Sequence, residues 1–179
     1  MQCRDELLLV FERVKFQNSR SIYGIQLRQL LKRLRPKPIY QFSFGIDFHG
    51  RFSPALAKRL IKELEPYHPM FVEEPCLPEN IDTMVDIARS TTIPIATGER
   101  LFTKWGFREV LEKQAASILQ PDLCHAGGIM EGKKIAAMAE VYYAAIAPHN
   151  PLGPIALAVA LQLDACIPNF LIQEHVTLG

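Results

Sequence analysis

The chain has few cysteines, and the four present, Cys3, Cys76, Cys124 and Cys166, are scattered. No C-x-x-C pair occurs. That argues against a disulfide framework or a zinc knuckle, and isolated thiols suit a reducing, cytoplasmic compartment. Net charge is also nearly missing, at +1 from 20 basic and 19 acidic residues. Such a balance leaves no dedicated face for nucleic acid or an acidic partner. Long apolar runs are absent too. The opening "MQCRDELLLVFERVKF" holds a five-residue apolar run between charges, and the longest apolar region is "PIALAVALQL" at 154–163. Both are too short for a membrane span, and the first is too short for a signal peptide. No glycine-rich dinucleotide loop is found. With 179 residues, 49% hydrophobic and 22% charged, the default is a soluble globular domain.

What is present is a repeat. Apolar runs recur along the chain, each closed by a polar residue: "FSFGID" at Asp47, "MFVEE" at Glu73, "IPIATGE" at Glu99, "ASILQPD" at Asp122, "AAIAPH" at His149 and "NFLIQE" at Glu174. The intervals are 26, 26, 23, 27 and 25 residues, a period that signals architecture. Helical patterns fill the gaps. "SPALAKRLIKELE" offers Ser53 as a cap, Pro54 in the first turn, and Leu56, Leu60, Ile61 and Leu64 on one face. "NIDTMVDIAR", "TKWGFREVLEK", "GGIMEGKKIAAMAEVYY" and "GPIALAVALQLDA" follow.

Strand and helix alternating at this period are the βα unit of a parallel α/β sheet. A doubly wound sheet gathers its functional residues at one switch point. A (β/α)8 barrel of the TIM type gathers them from many strand ends at one mouth. Six successive strand ends bearing Asp, Glu, Glu, Asp, His and Glu favour the barrel, and a partial one, with about strands 3–8 present. Residues 1–43 read as a separate, divergent segment, basic and helical. "YGIQLRQLLKRLR" carries Leu27, Leu30, Leu31 and Leu34 before Pro36 and Pro38. Residues 44–179 form the incomplete barrel domain.

The acids suggest a metal. Asp47, Glu73 and Glu99 close three consecutive strands, 26 residues apart each time. Adjacent parallel strands lie about 4.8 Å apart, so carboxylates at matched depth would converge and repel unless a hard divalent cation neutralised them. All-oxygen ligation favours magnesium. Glu74 competes with Glu73, but strand alternation turns its side chain away. In "GIDFHGR" the same alternation places His49 on the side of Asp47.

Five segments, "FGIDFHGR", "FVEEP", "ATGER", "ILQPDLCHAGGI" and "APHNPLGP", resemble the mandelate racemase branch of the enolase superfamily, and within it the galactonate dehydratase-like acid-sugar dehydratases. The resemblance runs from about residue 44 to 175. It implies magnesium (Mg2+) on Asp47, Glu73 and Glu99. It implies His149 as the base that takes the proton α to the substrate carboxylate, with Asp122 supporting it. His49 becomes the acid for the departing 3-hydroxyl, and Glu174 a stabilising or orienting group. The expected product is a 2-keto-3-deoxy sugar acid. His68, His125 and His175 stay with structural roles; so does Arg100, beside the alternative that it touches the substrate or a metal ligand.

The sequence departs from that family in three places. No amino-terminal capping domain is readable, the first barrel strand is missing, and a lysine-bearing second-strand motif survives at most as Lys15 in "VKF". Two expectations follow. The chain is a dehydratase of a small sugar acid, or it is a truncated, inactive metal-binding fragment of one. Neither nucleic acid nor membrane is an expected partner, and homo-oligomer formation stays open.

Overall fold

The computed structural model describes residues 44–175. The expectations for residues 1–43, including a helix near 21–35, lie outside the described residues. Within them, five short strands alternate with helices: β1 (Gly45–Asp47), α1 (Pro54–Leu64), β2 (Phe71–Glu73), α2 (Ile81–Ala88), β3 (Ile95–Thr97), α3 (Thr103–Glu112), β4 (Ile118–Leu119), α4 (Leu123–Ala126), α5 (Ile129–Val141), β5 (Ala145–Ile146) and α6 (Pro154–Asp164). The strands pair in parallel in the order β1-β2-β3-β4-β5. Spatial order follows chain order without reversal, which is the barrel pattern and not the doubly wound one. The sixth run, "NFLIQE", joins through a single parallel bridge, Ile146 to Phe170, and forms no strand of its own. No helix among the described residues is long and apolar enough to cross a membrane.

The helices start where the sequence says they should. Ser53 precedes α1, and its hydroxyl accepts from Leu56 N at 3.4 Å, with Pro54 in the first turn. Asn80 caps α2 by accepting from Thr83 N at 3.0 Å. A cap of this kind is worth about 1 kcal/mol. The third helix lacks a local side-chain cap at Phe102. Glu131, in the first turn of α5, supplies it by accepting Lys104 N at 3.0 Å.

Strand alternation then divides the interior. Ile46, Val72, Ile95, Leu119 and Ile146 face the helices and pack with Leu60, Ile61, Leu64, Met84, Phe107, Val110 and Ile135. Fully burying side chains of this size stabilises by about 1.5–3 kcal/mol each. The opposite face carries Phe71, Ala96, Ile118, Ala147 and Ile172. Asp47 and Glu73 belong to that second face, because pairing puts Asp47 beside Glu73 and Glu73 beside Ala96. The apolar floor under the strand ends is therefore the concave side on which the polar residues gather.

Candidate active site

Asp47 and Glu73 are register partners at the ends of β1 and β2. The same register row continues through Ala96, Ile118 and Ala145, so Glu99 lies three residues beyond it. Equal spacing along the chain is thus not equal depth in the sheet. The physical reason is stagger. Barrel strands tilt, so positions at one height along the axis advance along the chain from strand to strand.

The remaining residues arrive from loops. β1 stops at Asp47, and His49 sits in a left-handed turn at φ 51°. Its backbone N–H donates to Asp47 Oδ1 at 2.7 Å. The imidazole returns over the strand end, with Nδ1 3.3 Å from Asp47 Oδ2 and 3.4 Å from Glu99 Oε1. His49 and Asp47 are neighbours as expected, but a tight turn makes them so, and strand alternation does not. The backbone at Gly98 takes φ 146° immediately before Glu99.

His149 is the centre of the cluster. Its Nδ1 lies 2.9 Å from Asp122 Oδ2, its Nε2 2.9 Å from Glu99 Oε2 and 3.8 Å from Glu174 Oε2. Asp122 is itself fixed, because Oδ1 accepts Cys124 N at 2.8 Å and His125 N at 3.2 Å as the N-cap of α4. Glu174 accepts Asn150 N at 2.8 Å. Burial of His149 opposes its charge, yet the hydrogen bonds to Asp122 and Glu99 and the nearby Glu174 outweigh it and raise the imidazole to about 10. Burial also works against ionised Glu99 and Asp122. Contact with His149, helped at Asp122 by the Cys124 N–H, holds both below their usual range.

Glu73 behaves in the opposite way. Burial first, then the charge of Asp47, drive its carboxyl up to about 8, with Glu174 and Glu99 adding and a hydrogen bond with Gln120 opposing. Among the described residues no lysine or arginine pairs with it. A buried carboxyl facing three other acids is a site short of positive charge.

Glu74 does not turn away as expected. It adopts φ 40°, which breaks strand alternation, and its side chain is wholly buried. Arg100 holds it with both arms of its guanidinium: Nε donates to Oε1 at 3.0 Å and Nη2 to Oε2. Arg100 therefore meets a carboxylate of the cluster. Its 26-residue distance from Glu74 repeats the strand period and was the signal for the pair. Gln120 and Asn150 were also missed. Gln120 shares the parity of Ile118, which faces inward, and that parity is readable in "ILQPD".

The residues fit a hard divalent cation. Asp47, Glu73 and Glu99 supply oxygen only, and His49 Nδ1 stands between two of them, 3.3 Å from Asp47 Oδ2 and 3.4 Å from Glu99 Oε1. His49 Nδ1 is buried without a well-aligned hydrogen bond. Among the described residues, the trio whose ligand atoms all lie within 4.8 Å of one another is His49, Glu74 and Glu99, so Asp47 and Glu73 stand outside the tightest grouping.

Residues 10–179 match the family described as Enolase C-terminal domain-like. A D-galactonate dehydratase of Ralstonia pickettii is 59% identical over 132 residues, which are 74% of this chain and 35% of that protein. The chain thus spans about a third of this relative's length. A mandelate racemase/muconate lactonizing enzyme from Jannaschia sp. CCS1 superposes with a TM-score of 0.83 at 40% identity, covering 90% of this chain and 41% of that one. Another, from a Sulfitobacter species, gives 0.76 at 47% identity over 78% of this chain and 35% of that one.

Proposed function

Taking as premise that the chain belongs to the Enolase C-terminal domain-like family, we propose that it carries the metal-binding and proton-transfer residues of a magnesium-dependent acid-sugar dehydratase acting on galactonate or a close relative. The observation that carries this reading is the line of contacts Asp122–His149–Glu99–His49–Asp47. It puts two histidines on either side of one acid, each backed by its own aspartate. The galactonate dehydratase relative points to the substrate class.

Asp47, Glu73 and Glu99 would hold the magnesium, which supplies Lewis-acid stabilisation of the negative charge that develops on the substrate carboxylate. The proton work belongs to the side chains. His149 Nδ1 lies against Asp122 and Nε2 against Glu99; with Glu99 committed to the cation, Nδ1–H would stay with Asp122 and Nε2 would become the basic atom. His149 Nε2 takes the proton from the carbon next to the carboxylate. His49 donates a proton to the hydroxyl on the following carbon, whose C–O bond breaks to release water. The double bond formed is an enol, and its tautomerisation gives the 2-keto-3-deoxy acid. Glu174, beside His149 and tied to Asn150 N, orients the substrate.

Solvent deuterium exchange at the α-carbon of galactonate separates the two histidines, because it reports proton removal without elimination. His49→Asn should retain exchange while product formation stops. His149→Asn should lose both. Exchange lost in His49→Asn and kept in His149→Asn reverses the roles, and product at wild-type rate in both variants refutes the dehydratase reading.

A further inference from the structure

We propose that Arg100 decides which of two adjacent glutamates can serve a cation, and that by holding Glu74 it closes a second, nitrogen-containing site to zinc. The inference rests on the reading that Asp47, Glu73 and Glu99 hold magnesium.

The chain places two carboxylates in tandem at the end of β2. Glu73 faces Asp47 in register. Glu74 comes back toward the same cluster through its left-handed backbone, and one of its oxygens lies within 4.8 Å of ligand atoms of both His49 and Glu99. One imidazole and two carboxylates are a zinc-type donor set. Mixed nitrogen and oxygen sites prefer zinc to magnesium on affinity alone. A zinc ion there would take Glu99 from the magnesium set and His49 from proton transfer. The tendency is built in: Glu99 is only 6% exposed, its Oε1 lies 3.4 Å from His49 Nδ1, and that nitrogen is buried without a well-aligned hydrogen bond.

The lock is the shape of the guanidinium. Nε and Nη2 engage the two oxygens of Glu74 separately, so a cation would have to compete with a charge-assisted hydrogen bond at either oxygen. A planar fork can do this, whereas an ammonium is a point charge that satisfies one oxygen well. Glu73 has no such partner among the described residues. The choice between Glu73 and Glu74 is therefore made by a residue that touches neither metal nor substrate: Arg100 is a positioning residue. A purely structural ion pair predicts something different. Its loss would lower stability and leave metal preference unchanged.

The test is calorimetric titration of the full chain with magnesium chloride and, separately, zinc chloride. Arg100→Gln should bind zinc about tenfold or more tighter than wild type. Glu74→Gln/Arg100→Gln, which removes both charges together, should return zinc to the wild-type value. Magnesium affinity should fall in Asp47→Asn and stay within roughly threefold of wild type in the Arg100 variants. Should Arg100→Gln fail to fold, Arg100→Lys carries the test, with zinc tightened by roughly threefold or more. Unchanged zinc affinity in the Arg100 variants, or a gain that survives removal of Glu74, overturns the role of Arg100, and magnesium lost in Asp47→Asn would leave the functional reading standing. Equal magnesium affinity in wild type and Asp47→Asn overturns that reading instead, and the zinc comparison still decides on Arg100.

Discussion

Asp122 grips His149 from one side only: Oδ2 lies 2.9 Å from Nδ1, while Oδ1 is spent on the N–H groups of Cys124 and His125. The carboxylate cannot rotate away without uncapping α4. It therefore fixes both the plane of the imidazole and the nitrogen that carries the resting proton. Asp122→Asn keeps the shape and presents an amide that can donate to Nδ1, which favours the wrong tautomer. Exchange of the α-proton of galactonate should fall by about 10²–10⁴-fold. A rate within about twofold of wild type would show that Asp122 does not orient the base.

Glu131 joins α5 to α3, and its titration should be visible in stability. The N–H of Lys104 is the main cause of its lowered pKa, about 2, with Lys134 and the Lys104 ammonium helping and burial opposing. A carboxyl whose folded pKa lies below its unfolded one contributes stability above the unfolded value, and that contribution is lost as pH falls through the folded value. The difference in melting temperature between wild type and Glu131→Gln should be largest above the ordinary carboxyl range, near 4.5, and shrink as pH falls toward about 2. A difference independent of pH over that window would contradict the capping role.

The fold was legible because its signal is periodic: five of the six marked runs supply the five parallel strands, in the expected order. Ser53 and Asn80 cap their helices as their sequence positions imply. Depth was less legible. Counting residues placed Asp47, Glu73 and Glu99 on one level, but barrel stagger puts Glu99 three residues past the row that Asp47 and Glu73 share. Side-chain direction failed where the backbone leaves the extended region. Glu74 and His49 both have positive φ without being glycine, and nothing in "VEEP" or "DFHG" announces it. Long-range pairs such as Arg100 with Glu74 become visible only once the 26-residue period is applied to every polar residue, beyond those that close the strands.

Magnesium should stabilise the chain. Glu73 is buried against Asp47 with Glu99 and Glu174 close enough to oppose its ionisation, so a divalent cation relieves repulsion that only the folded state has. A ligand that binds the native state alone at about 100 times its Kd adds about 2.7 kcal/mol. Scanning calorimetry should show a higher Tm in magnesium than in chelator. The increment should shrink in Asp47→Asn and Glu99→Gln. An increment of the same size in all three proteins would place the cation elsewhere.

Gly98 connects the fold to the site, and alanine there should damage both. It precedes Glu99 at φ 146°, and an added Cβ would stand 2.7 Å from Gln120 N, 2.8 Å from its carbonyl carbon and 2.9 Å from its oxygen. All three are backbone atoms, so no flexible side chain can move aside. Overpacking of this kind costs about 1–3 kcal/mol, and the glycine-type backbone adds about 1–3 kcal/mol more. Relief requires β3 and the start of the β4 loop to separate. That shifts Glu99 on one side and Gln120, the hydrogen-bond partner of Glu73, on the other. Gly128→Ala is the control: its φ is 84°, but nothing lies within 4 Å of an added Cβ, so it carries backbone strain without the clash. Gly98→Ala should lower stability by roughly 2–6 kcal/mol and weaken magnesium binding by about tenfold. Gly128→Ala should cost about 1 kcal/mol and leave magnesium affinity unchanged. Denaturant unfolding and calorimetric titration of the two variants check this, and equal effects of the two substitutions would show that close approach to Gln120 is not what requires glycine at position 98.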